Sequence, residues 1–372
     1  MKVLLLFTYN ISLKQWFESG ILNREIEIYK ELNKEYSLEF IFLTYGDETD
    51  HKYIKELNFI KVVPLYQYLD KKDSRLLDIL NVTKSLKKLL RPYSKTFQII
   101  KTNQLNGVWL GLLIKKFFKK PLFVRTGYDI YLFSIKDRKS KAKQFFYYLL
   151  TWVALLYCDI YTVSSESDYK FIKNNYLFNK NKLLLRRNWV PLGEIKSFNS
   201  RFSNSFLSVG RLEIQKDYEF LINKINNRAY ELHIVGSGSQ GEYLKSISSK
   251  NILFFNKIEH SNLMNLYEDY KFYISSTDYE GNPKSLIEAM SKGCVVIAPN
   301  NENILEIIDH GKNGLIFDKN NFNFDSLLEK ISSLKLEEIS KNAYNFIKVN
   351  YSINKALKLE YEDYQKCIDE KD

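Results

Sequence analysis

Two glutamates, Glu280 and Glu288, stand eight residues apart, and the chain between them reads as the start of a helix. Asn282 suits the cap, and Pro283 suits the first helical position, where a missing N–H costs nothing. Gly293 suits the end, ahead of Cys294–Ala298, an apolar run of the kind that forms a parallel strand covered on both faces. Open N–H groups and the positive helix end over Gly281–Ser285 make a seat for an anion. A phosphate there, with a carboxylate on each side, points to a ligand that carries both phosphate and hydroxyl groups. Glu288, inside the helix, is able to accept two hydroxyls at once. The plain alternative is a helix cap beside a surface glutamate. A glycosidase pair is another, but an anion seat beside both carboxylates suits a phosphate leaving group better than hydrolysis. Asp278-Tyr-Glu280 has no second ligand set to support it, so no metal is expected.

Upstream, Gly210-Arg-Leu-Glu-Ile-Gln-Lys216 lies between a strand-like run and a helix-like one. Gly210 lets the backbone turn sharply, and Arg211 and Lys216 are two cations placed to grip a diphosphate. Two surface cations at a helix start are the plain alternative. Position after the first strand of the second half, at the sheet's carboxyl edge, favours the ligand role. Gly236-Ser-Gly238-Ser-Gln-Gly241 matches G-x-G-x-x-G in full, so an NAD-dependent oxidoreductase has to be weighed. That motif follows the second strand of its half rather than the first. The next strand ends Phe255-Asn256-Lys257, without a carboxylate for a dinucleotide ribose.

Three segments in order over Phe206–Asp318 resemble the donor half of retaining GT-B glycosyltransferases, most closely glycosyltransferase family 4. They are Val209–Asp217, Val235–Gly238 with Leu244, and Glu280-x7-Glu288 within EGNPKSLIEAMSKGCVVIA. The resemblance implies hexosyl transfer from a nucleoside-diphosphate sugar with retention of anomeric configuration, and no cofactor. The implied acceptor is a glycan or lipid-linked glycan, in surface polysaccharide synthesis. Arg211 and Lys216 would bind the diphosphate and offset charge on the leaving group. Glu280 would face the sugar hydroxyls near the reacting carbon, and Glu288 the ribose. Gly210, Gly236, Gly238, Gly281, Asn282, Pro283, Lys284, Ser285 and Leu286 would line the donor. Ile258 would lie at the base, where Asn256 replaces a family glycine. Over the first half the resemblance is looser. There Gly20 would approach the donor phosphates, and Arg125, Tyr128 and Asp129 would stand on the acceptor side, where the family often has histidine. A donor-binding but inactive scaffold fits the same motifs.

At 372 residues the chain suits two domains rather than one core. Cys158, Cys294 and Cys367 are few and far apart, as in a cytoplasmic protein with reduced thiols. Met1-Lys2 runs straight into Val3–Phe7, which reads as a first strand rather than a secretory leader. The longest apolar run, Phe145–Cys158, falls short of the roughly 20 residues that span a bilayer. Charge is uneven: residues 1–200 carry +15 and residues 201–372 carry −4. Lysine clusters at Lys84–Lys88, Lys115–Lys120 and Lys136–Lys143 sit beside aromatics or leucines. Each alone reads as a solvated helix face. Together they point to an anionic membrane surface, with the protein peripheral on the inner face of the cell membrane and no nucleic acid expected.

Strand-like and helix-like runs alternate throughout, the mark of doubly wound parallel sheets. The expected organisation is α/β: two Rossmann-like doubly wound domains facing across a cleft. We place an acceptor-side domain over 1–190, a linker over 191–204 and the nucleotide-sugar domain over 205–350. A C-terminal helix over 351–372 returns, by resemblance, to the first domain. The expected strands include Lys2–Thr8, Phe97–Lys101, Phe206–Val209, Glu231–Val235 and Phe272–Ser275. Tyr9–Ser19 reads as a long turn.

Overall fold

The computed structural model describes residues 1–369. They form two compact units, one of Met1–Arg186 with the chain from Leu357 onward, the other of Arg187–Ala356. The first unit holds seven strands: β1 (Lys2–Leu6), β2 (Glu39–Thr44), β3 (Ile60–Pro64), β4 (Ile99–Thr102), β5 (Leu122–Arg125), β6 (Ile160–Val163) and β7 (Leu183–Leu185). All pair in parallel in the order β3-β2-β1-β4-β5-β6-β7. Their sequences are near-continuous apolar runs because helices cover both faces. In β1, Val3 to Leu6 are fully buried, and Leu4 registers with Ile41 on one side and Ile100 on the other.

One feature of this unit departs from the sequence reading. Tyr9–Ser19 contains a helix, Leu13–Glu18, held by a capping box in which Ser12 and Gln15 satisfy each other's backbone N–H groups. The S-x-x-Q signal was present and the stretch was too short to show periodicity. Lys101, buried in β4 between Ile100 and Thr102, pairs with buried Glu360 of the final helix. That helix, Ile353–Asp369, also gives Asp363, which takes Arg186 in a fork (2.7 and 2.6 Å), and Tyr361, stacked on Tyr36 at 4.1 Å.

The second unit holds β8 (Phe202–Val209), β9 (Glu231–Val235), β10 (Ile252–Phe255), β11 (Tyr270–Ile274), β12 (Val295–Pro299) and β13 (Leu315–Phe317). The order is β10-β9-β8-β11-β12-β13, all parallel. Alternate residues feed two apolar layers: Phe206 and Ile274 enter one, Leu207 and Tyr273 the other. β8 starts at Phe202, inside the polar stretch read as linker, because Phe202 registers with Tyr270 of β11 and packs its ring there at 5.4 Å. Backbone pairing recruits residues that polarity alone assigns to a loop.

Candidate functional site

β8 and β11 are the central neighbours of the second sheet, and the strand order reverses between them. Loops leaving their carboxyl ends splay apart, which makes this point the natural crevice of an open parallel sheet. The loops there are 210–217 and 275–283, and each carries charge. Lys216 and Glu280 form an ion pair across them, with side chains 18% and 12% exposed. The loops are also laced together. Gln215 Nε2 donates to the Tyr279 carbonyl (2.7 Å), Asp278 N–H donates to the Gln215 carbonyl (3.0 Å), and Ser276 Oγ donates to the Asp217 carbonyl (2.8 Å). Lys319, after β13, bonds both Asp217 and Asp278. Asp217 sits at φ +46°, a left-handed position that aspartate tolerates, and accepts from Phe220 N–H as the cap of the next helix. Arg211 lies exposed on the first of these loops.

The glycines of the G-x-G-x-x-G turn answer to the chain's own packing. Gly236 has φ +151°, and a Cβ there would lie 1.9 Å from the Gly210 carbonyl oxygen. A Cβ on Gly238 would lie 2.4 Å from the Leu212 carbonyl oxygen. The two glycine loops therefore stack backbone on backbone, with Leu212 N–H donating to Ser237 O (3.0 Å) and Gln240 N–H to Leu212 O (2.9 Å). The motif is explained without a dinucleotide, because its first two glycines face protein backbone.

The helix after the second loop runs Lys284–Ser291, with Pro283 in the cap position. Asn282 therefore falls one residue outside and does not cap; its Oδ1 accepts from Asn188 Nδ2 at 2.9 Å. Pro283 has ψ 89°, outside the helical range, so the helix starts one residue later than the sequence suggests. Gly281 and Thr277 carbonyls accept from Asn303 and Asn301 (2.7 Å to Thr277), so the loop is pinned from β12's exit. Ser285 Oγ accepts from Tyr273 OH at 2.9 Å, and Leu286 is a core residue whose N–H donates to Pro283 O at 3.1 Å. Lys284 is half-buried at the helix start, where N–H groups lack a carbonyl one turn back.

Glu288 is 4% exposed. Its Oε1 lies 3.0 Å from His260 Nε2, and its Oε2 accepts from Tyr267 OH at 3.3 Å. Ile258, two residues before His260, packs half-buried on the adjoining apolar layer. Sequence reasoning missed His260, Tyr267, Lys319 and the asparagines. A lone histidine after an irregular loop gives no signal. Three asparagines at the exit of β12 (Asn300, Asn301, Asn303) do, since such clusters pin loops at a sheet's carboxyl edge. Among the described residues, no group of three or more His, Cys, Asp or Glu is arranged to hold a metal ion.

The four remaining candidates lie in the first unit. Gly20, at φ +62°, ends the short helix Leu13–Glu18. Arg125 is directed to Glu360 at 3.7 Å, and the half-exposed Tyr128 packs its ring on Phe133 at 4.3 Å. Asp129 is fully buried and caps the helix Ile130–Lys136, accepting from Leu132 N–H at 2.6 Å. Burial pushes its pKa up to about 7, with Asp168 nearby adding to the rise. Oδ2 of Asp129 is buried without a hydrogen-bond partner among the described residues. Arg125 and Asp129 thus serve the fold of the unit that carries them.

Residues 195–351, most of the second unit, match the family described as Glycosyl transferases group 1. With parallel sheets of seven and six strands, the whole chain has the fold of GT-B glycosyltransferases. An uncharacterized glycosyltransferase of Methanocaldococcus jannaschii is 24% identical over 303 residues, spanning 74% of this chain and 76% of that one. Among solved structures, HepE of Anabaena in complex with UDP-glucose superposes with a TM-score of 0.70 at 14% identity, covering 98% of this chain and 100% of that one. A TarM variant of S. aureus, solved with Fondaparinux, alpha-GlcNAc-glycerol and UDP, gives 0.72 at 13% identity, covering 98% and 100%.

Proposed function

We propose that the protein transfers a hexosyl group from a nucleoside-diphosphate sugar to a glycan or lipid-linked glycan, with retention of anomeric configuration, in the synthesis of a surface polysaccharide. The observation that carries this reading is the Lys216–Glu280 pair, which joins residues 64 positions apart at the exits of β8 and β11. It stands beside a helix start suited to phosphate and near the buried Glu288. In this reading the bond between the anomeric carbon and the diphosphate oxygen breaks, and its electron pair leaves with the diphosphate. The acceptor hydroxyl oxygen bonds to that carbon on the same face and passes its proton to the departing phosphate oxygen. Arg211, Lys216 and the N–H groups at Lys284 and Ser285 offset the charge that builds there. Glu280 orients the sugar and holds the Lys216 ammonium, while Glu288, oriented by His260 and Tyr267, accepts the ribose hydroxyls. The first unit takes the acceptor, with the enzyme on the inner face of the cell membrane; no helix among the described residues is long and apolar enough to cross it.

Isothermal titration with nucleoside diphosphates and their sugars tests the site. Glu288→Ala and Arg211→Ala should each weaken binding by about tenfold or more, the scale of one lost charge-assisted hydrogen bond. His260→Ala should act less, because it orients the carboxylate rather than replacing it. Unchanged affinity in both of the first two variants refutes the donor site. Release of nucleoside diphosphate from a labelled donor in the presence of acceptor separates an enzyme from a donor-binding scaffold.

A further inference from the structure

In the first unit, the helices Val108–Phe118 and Lys141–Tyr157 leave between them an open groove of about 820 Å³. Trp109, Leu112, Leu113 and Val153 form its floor, and Tyr157, 61% exposed, stands at the rim. Positions 109, 112, 113 and 116 share one helix face, so Lys116 closes an otherwise apolar stripe. On the other helix the period carries the stripe from Val153 and Tyr157 back to Phe146, which is 54% exposed beside Phe145 at 62%. Large aromatics this exposed are unusual on a surface meant for water alone.

Charge selects the occupant. Residues 108–157 hold ten Lys or Arg against Asp129 and Asp137, with Arg125 directed to Glu360 and Lys139 paired with Asp137. Asp129 is fully buried, so it does not offset this charge at the surface. Lys115 is paired with Asp159 at the groove, and Lys116 and Lys119 also line it with exposed side chains. An apolar floor, an aromatic rim and lysines whose stems lie along it form the pattern of a surface that lies in a lipid headgroup layer, with acyl chains below and phosphates above. We propose that this groove seats the first unit on an anionic phospholipid bilayer, taking acyl chains on its floor and headgroup phosphates on Lys116 and Lys119. The proposal rests on the lipid-linked acceptor reading given above and names the surface that brings the enzyme to such an acceptor.

The full-length protein, mixed at low salt with vesicles of phosphatidylglycerol and phosphatidylcholine, should sediment with them, and with vesicles of phosphatidylcholine alone it should not. Lys116→Glu combined with Lys119→Glu should lower the bound fraction by about tenfold or more, as each charge near an anionic surface matters on that scale. Phe146→Ser, an exposed site whose change spares the core, should weaken binding with little change in its salt dependence. Brominated acyl chains should quench tryptophan emission in the parent protein and less in Trp109→Phe. Equal sedimentation of the double variant, quenching unaltered in Trp109→Phe, or retention on RNA without binding to vesicles would each overturn the proposal. Titration with nucleoside diphosphate runs alongside. Vesicle binding lost with donor affinity intact confines a failure to the groove; donor affinity absent with vesicle binding intact confines it to the transferase reading.

Discussion

At the residue scale, the charged groups of this protein divide into those gathered at the edge of the second sheet and those buried in the fold. Lys216 and Glu280 neutralise each other at a sheet edge that admits solvent, and Arg211 lies exposed on the same loop as Lys216. Asp129 is the opposite case, a carboxyl fully buried as a helix cap. Its folded pKa, raised to about 7 by burial, lies above the ordinary carboxylate value, so the native state binds the proton more tightly than the unfolded chain. Stability from this group is therefore present at acid pH and falls as pH rises from about 4 to about 7. Asp129→Asn keeps the capping oxygen and removes the titration. It should raise stability above pH 7 by up to about 4 kcal/mol and flatten the pH dependence below it, as read from denaturant midpoints.

At the element scale, the loops at the second sheet's edge are rigid because they are built on one another. Gly236→Ala would drive a methyl group into the Gly210 carbonyl and strain a positive φ at once. We expect a loss of about 1–3 kcal/mol in urea unfolding, together with weakened donor binding. Gly311→Ala shares the positive φ, at +78°, but meets no atom within 4 Å. It should cost about 1 kcal/mol and leave binding alone. A comparable cost in the two variants would show that loop stacking is not what Gly236 supplies.

The final helix docks through buried charge. Burial acts to raise the Glu360 pKa, but Lys101 and Arg125 together outweigh it and hold the carboxyl below its usual range. Burial pulls the Lys101 ammonium down while Glu360 pushes it back up. Lys101→Met leaves that carboxylate without its main partner and should destabilise the protein by roughly 3–5 kcal/mol. Lys101→Met with Glu360→Leu should recover most of the loss, because an apolar pair needs no desolvation. Thermal unfolding of the single and double variants decides this.

At the scale of the whole molecule, the two units each complete a parallel sheet and its covering helices. Donor binding should therefore act on one of them. With a nucleoside diphosphate at a hundred times its Kd, the second unit should gain about 2.7 kcal/mol. Hydrogen exchange should slow over 210–217, 236–241 and 275–288, at the exits of β8, β9 and β11, and not in the edge strands β3 and β10. Slowing confined to the first unit would place the donor elsewhere.

Much of this architecture was legible in the sequence. Apolar runs such as Val3–Phe7 and Cys294–Ala298 leave little choice but buried parallel strands. What the sequence left open was who meets whom. Asn282 looked like a cap until Pro283 displaced it. The letters of 236–241 match a dinucleotide turn that strand position and the lack of a carboxylate argue against, and only the structure shows another loop packed on Gly236 and Gly238. His260 carried no signal until it faced Glu288. Strand and helix follow from patterns within a few residues, because periodicity and propensity act locally. A site or a docked helix depends on pairings between distant residues, such as 216 and 280 or 101 and 360, and only the folded chain brings those together.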